Sequence, residues 1–120
     1  MNYSYEINAQ KKTIFVILTG NITKKELAFL DKEIRTKAKM LNYKVLFDLR
    51  DSKKSLPVSE TDLWLDSNYY KSFNELMTIP VAFILNDSFY NFLNITSIPQ
   101  NSPLKVFNDD ISASQWLAQF

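Results

Sequence analysis

The chain predicts an α/β fold with the element order β-β-α-β-α-β-α-β-α, a mixed, largely parallel sheet covered by helices. Three observations carry that expectation. Tyr3, Tyr5 and Ile7 alternate with Ser4, Glu6 and Asn8, the period of a strand with one solvated face. Short apolar runs recur at TIFVILT, KVLFDL and VAFIL, as in strands buried on both faces of a parallel sheet. Between them lie segments with helical spacing opened by capping residues, and strand–helix alternation of this kind builds parallel sheets.

The elements follow in order. The strand at Tyr3–Ile7 turns through Ala9–Lys12 into Thr13–Thr19, which is apolar and rich in β-branched residues and is expected to be buried on both faces, antiparallel to the first. Gly20 is expected to break that strand. Thr23-Lys24-Lys25-Glu26 then forms a capping box, with Ile22 and Leu27 at the positions of a hydrophobic staple. Leu27, Leu30, Ile34, Ala38 and Leu41 make one apolar stripe, while Glu26, Asp31 and Glu33 interleave with lysines on a solvated, ion-paired face. Asn42-Tyr43 closes the helix.

Lys44–Leu49 is the next buried strand; a polar loop through Pro57 follows, and Arg50-Asp51-Ser52 is expected to begin a mobile surface loop leading to Ser59 and Trp64. Ser59 with Asp62 opens a second helix, with Leu65, Tyr69, Phe73 and Leu76 on one stripe. Pro80 precedes the strand Val81–Leu85, and Asp87 caps a short helix carrying Phe89, Phe92 and Leu93. The loop SIPQNSP leads to the strand Leu104–Asn108 and to a last helix capped by Asp109 or Asp110. Trp116, with Ala113 and Leu117, belongs to the core.

A chain of 120 residues suits a single domain, residues 1–120, with one core. It contains no Cys and no His, which removes thiol nucleophiles, imidazole bases and zinc sites built on sulfur or imidazole. No catalytic residue, cofactor or tightly held transition metal is therefore expected. Its single glycine excludes Gly-rich phosphate cradles. Neither a signal pattern nor a membrane-length apolar run is visible, so the expected location is cytoplasmic, without membrane insertion.

Charge is uneven. Residues 1–54 hold 12 Lys/Arg against 6 Asp/Glu, a balance of +6, and residues 55–120 hold 2 against 7, a balance of −5. The basic half is read as a solvated helix face rather than a nucleic-acid surface, since acids interleave with its lysines.

Two stretches then point to a family. KVLFDLRD, a buried strand ending in an acid, and LKVFNDDISASQWL, a strand followed by an acidic cap and an Ala-x-x-Trp-Leu helix, together with the element order over nearly the whole chain, resemble the SpoIIAA-like superfamily that includes the STAS domains. The resemblance implies a STAS-like, non-catalytic module acting through protein contacts, with a regulatory role. Anti-sigma-factor antagonists of that superfamily carry a phosphorylated Asp-Ser-Ser/Thr-Gly-type turn at the helix after this strand. The corresponding region here reads DSKKSLPVSETD, without glycine and without Asp-Ser-Ser, so the phospho-switch is not carried over.

Arg50, Asp51, Ser52, Ser59 and Trp64 form the candidate interaction surface, because loops at the carboxyl ends of parallel strands are where such folds place their contacts. Trp64 either anchors a partner or folds across SIPQNSP. Asp48, Arg50, Asp51, Asn86 and Asp87 could form a cation or phosphate site; capping of loop and helix amides by Asp48 and Asp87 is the preferred reading. An alternative function is a carrier of a small apolar ligand such as a lipid, using Tyr69, Tyr70, Phe73, Phe89, Tyr90, Phe92 and Phe107. An enzyme of unknown type comes third.

Overall fold

The computed structural model describes residues 2–54, 78–87 and 103–120, without the side chains of Ile22, Lys24, Ala28 and residues 52–54. The second and third expected helices, and with them Ser59, Trp64 and the aromatics from Tyr69 to Phe92, lie outside the described residues.

Alternation in the first residues produces β1 (Asn2–Asn8), which pairs antiparallel with β2 (Thr13–Ile22) from Asn2↔Thr19 to Asn8↔Thr13. The Asn8 side chain accepts the Lys11 amide at 3.0 Å and so fastens the connecting turn. Gly20 does not end β2. It bends the strand at φ +81°, a conformation that L residues with a Cβ adopt only at a cost, and the strand runs on to Ile22.

The extra length meets β4 (Ser52–Lys54), in parallel from Gly20↔Ser52 to Ile22↔Lys54. This corrects the expected loop, because Ser52 starts a strand while Arg50 and Asp51 make the turn before it. Ser-Lys-Lys carries no apolar alternation, so only its backbone pairing marks it as a strand.

β3 (Lys44–Asp48), β5 (Val81–Ile84) and β6 (Leu104–Phe107) add in parallel, giving the order β1-β2-β3-β5-β6 with β4 beside the end of β2. The chain is thus α/β, with a mixed sheet whose one antiparallel pair among the described residues, β1 with β2, lies at its edge.

Registered rows fill the two faces. On one, Val16, Phe47, Phe83 and Val106 lie side by side, and Phe47 stacks on Phe83 with ring centroids 5.0 Å apart. This face is covered by α1 (Lys24–Leu41) through Leu27, Leu30, Ile34 and Ala38. On the other, Leu46, Ala82, Ile84 and Phe107 pack against Ala113 and Leu117 of α2 (Asp110–Leu117). Trp116 is only partly buried, between the Phe107 and Phe120 rings. Because α2 lies over β5 and β6, it leaves Ile17 on β2 47% exposed, against the expectation of burial on both faces.

The cap of α1 is as the sequence predicts. Thr23 Oγ1 accepts the Glu26 amide at 3.2 Å and donates to Glu26 Oε1 at 2.8 Å. Asn42, at φ +59°, returns its amide to the Ala38 and Lys39 carbonyls and closes the other end. Two positions on α1 differ from expectation. Leu41 is 42% exposed rather than in the buried stripe. Asp31 is buried rather than solvated, with Arg35 Nε donating to its Oδ1 at 2.8 Å. The two sit four residues apart beside Leu27 and Ile34, where mutual pairing offsets part of the cost of burying both charges.

Candidate functional site at the carboxyl edge of the sheet

Parallel strands bring their carboxyl ends to one edge, so Asp48 after β3, Asp87 after β5, and Asn108, Asp109 and Asp110 after β6 share it. Leu49 donates its amide to the Ile84 carbonyl and Leu85 donates to the Phe107 carbonyl, both at 2.8 Å, which carries the strand spacing into the segments that leave the sheet.

The centre of this edge is a clamp. Arg50 donates from Nε to Asp48 Oδ1 at 3.0 Å and from Nη2 to Asp48 Oδ2 at 2.8 Å, and its backbone amide also reaches Oδ1 at 3.1 Å. Planar guanidinium and carboxylate match in such a fork, which fixes orientation as well as charge. Partial burial pushes the Asp48 carboxyl up, but the Arg50 bonds and charge outweigh it and hold the group below its ordinary value. Arg50 is raised in turn, chiefly by its bonds to Asp48, with smaller contributions from the charges of Asp110 and Asp51.

The neighbouring acids are used in the same structural way. Asp109 caps α2 by accepting the Ser112 amide at 2.7 Å, and that bond holds its carboxyl low, with a smaller contribution from Arg50. Asp87 accepts from Asn108 Nδ2 at 3.3 Å, tying the ends of β5 and β6 together. Asp48 thus caps a loop amide as the preferred reading holds. No group of three or more possible metal ligands is present among the described residues.

Of the five residues of the expected surface, the structure places Arg50, Asp51 and Ser52 together at this edge, Arg50 with its side chain 40% exposed. Ser59 and Trp64 lie outside the described residues. Asp109 and Asp110, which enter Arg50's electrostatic surroundings, were expected only as caps; the parallel register of β3, β5 and β6 is what brings them near. Arg50 is bonded to Asp48 and lies in the field of Asp51, Asp109 and Asp110. Arg50 is therefore neutralised from within and is a poor receptor for a free phosphate. Among the described side chains, the ends of β3, β5 and β6 form an acidic rim.

The opposite edge has the opposite sign. Lys44 at the start of β3 donates from Nζ to the Leu117 carbonyl at 2.6 Å and the Phe120 carbonyl at 3.1 Å, so a cation closes the end of α2. A cleft of about 560 Å³ beside it is lined in part by Lys12, Lys39, Lys44 and Tyr43. A second, of about 320 Å³, includes Lys11, Phe15 and Lys44.

No family model matches the chain, and no curated protein matches it.

Proposed function

We propose that this chain is a non-catalytic, cytoplasmic STAS-like protein-interaction module with a regulatory role, and that it contacts its partner through the carboxyl edge of its sheet. The observation that carries this reading is the Asp48–Arg50 clamp. It ties the β3–β4 turn to the end of β3 beside the capped start of α2 and leaves Asp51 and Asp110 exposed. A prearranged charged surface of this kind steers a complementary partner and sets its register.

The SpoIIAA-like resemblance of KVLFDLRD and LKVFNDDISASQWL supports the same reading. Absence of Cys and His from the whole sequence leaves no thiol or imidazole for covalent or acid–base chemistry. Of the aromatic residues on which the apolar-ligand alternative rests, Phe107 alone is among the described residues, and it is buried. No helix of the described residues is long and apolar enough to cross a membrane.

Charge reversal tests the proposal. Asp51→Lys combined with Asp110→Lys changes two exposed residues without touching the clamp or the Asp109 cap. The double variant is expected to keep the wild-type circular dichroism and to bind the physiological partner at least about tenfold more weakly. Unchanged affinity in the folded variant overturns the assignment of this edge.

A further inference from the structure

The two outer strands of the sheet are managed differently. β6 is short, follows Pro103 and carries an exposed Lys105, the usual ways of discouraging edge-to-edge pairing. β1 has none of these. It runs for seven residues in unbroken register with β2, contains neither Pro nor Lys, and has one charged residue, Glu6. Among the described residues nothing pairs with its outer side.

Its sequence is complementary to itself. Tyr3, Tyr5 and Ile7 lie on the face covered by α1, in register with Leu18, Val16 and Ile14, yet remain 48%, 44% and 43% exposed. Set antiparallel to an identical strand and centred on Tyr5, β1 places Tyr3 opposite Ile7, Tyr5 opposite Tyr5, Ser4 opposite Glu6 and Asn2 opposite Asn8. Apolar meets apolar on one face, and Glu6 meets a hydroxyl rather than its own copy on the other. Moving the centre to Glu6 would oppose two carboxylates, and moving it to Ser4 would leave fewer residues paired. Only the Tyr5 centre uses the whole strand.

The Tyr5 ring is also held in place. Lys37 Nζ donates to its hydroxyl at 3.0 Å and lies 4.9 Å from the ring centroid. Glu33 acts on that ammonium from the same helix, so the two lysines near the axis bring compensating charge with them.

We propose that the outer edge of β1 pairs antiparallel with β1 of a second copy of this chain, about a twofold axis at Tyr5, joining the two sheets. A twofold interface of this type needs one self-complementary patch, which this strand supplies. The pairing leaves the carboxyl edge of each copy open.

The chain has no cysteine, so single cysteines report the register directly. Tyr5→Cys, Tyr3→Cys, Ile7→Cys and, as a control, the outward-facing Met40→Cys are treated with a short bis-maleimide after circular dichroism confirms folding. Tyr5→Cys is expected to give a covalent dimer of twice 14.0 kDa, or 28.0 kDa. Tyr3→Cys and Ile7→Cys are expected to cross-link efficiently only when mixed, and Met40→Cys hardly at all. The wild-type chain, by sedimentation, is expected to shift from 14.0 towards 28.0 kDa as its concentration rises. A wild-type chain that stays at 14.0 kDa at several hundred micromolar overturns the proposal. So does a dimer in which Met40→Cys cross-links as readily as Tyr5→Cys.

Discussion

Asp48 shows how one residue answers to two demands. Its neighbours in β3 are core residues, and Ile17 and Ile84 flank it in register on the face shared with α2. A carboxylate there is tolerable because Arg50, two residues on, supplies two hydrogen bonds and a charge. The folded-state pKa is thereby depressed. A depressed carboxyl contributes stability at pH above its unfolded value, and that contribution disappears as pH falls through the folded value. The ordinary value is 3.8, so the loss is expected below that pH. Acid titration of stability is expected to fall less steeply below pH 3.8 in Asp48→Asn than in the wild type. Equal slopes would show that the clamp adds no net stability in solution.

Lys44 illustrates what residue-level reading misses. It opens an apolar run and looks like a solvated strand end. Its ammonium instead bonds carbonyls more than seventy positions away, at Leu117 and Phe120. The available signal was weak: a cation at a strand start and a helix at the end of the chain with no basic residue in its last turn.

Among elements, α1 was the most legible. Its capping box, Asn42 closure and, apart from Leu41, its apolar stripe are local patterns found where the spacing places them. Glu26 lies below its ordinary carboxyl value chiefly because the Thr23 hydroxyl donates to it. Thr23→Ala is expected to cost about 1 kcal/mol in denaturant unfolding, through loss of the Glu26 amide's acceptor. A change indistinguishable from zero would mean that the helix start is stabilised by other contacts.

The misses on the described elements are set by contacts that local patterns do not contain or by a backbone angle that they leave open. Asp31 and Arg35 look like surface charges because helical periodicity assigns them to the edge of the stripe, and only tertiary covering decides on which side they fall. Gly20 reads as a breaker, but a +81° φ can bend a strand as well as end it. β4 was invisible because strand signals are side-chain signals, whereas Ser52–Lys54 is held by pairing with the bent end of β2. Ile17 reads as core because its β-branched neighbours are core; α2 simply does not extend over it.

For the whole molecule, parallel topology sorts charge. Strand starts gather Lys12 and Lys44 beside the end of α1, and strand ends gather Asp48, Asp87, Asp109 and Asp110. The near-neutral total of +1 conceals, among the described side chains, strand starts and strand ends of opposite sign. Partner association at the acidic rim is therefore expected to weaken as salt screens it. Arg50 and Asp51 in the turn, with Ser52 at the start of β4, are the part of the candidate surface that the structure sets at this rim.

Site-specific photo-crosslinking in living cells tests the central claim most directly. A photoreactive amino acid replaces Asp51 at the acidic rim or, as a control, the exposed Thr36 on the outer side of α1. The account predicts a discrete protein adduct from position 51 that is absent from position 36 and is lost when Asp110→Lys is added. Adducts forming equally at both positions, or at position 36 alone, would contradict it.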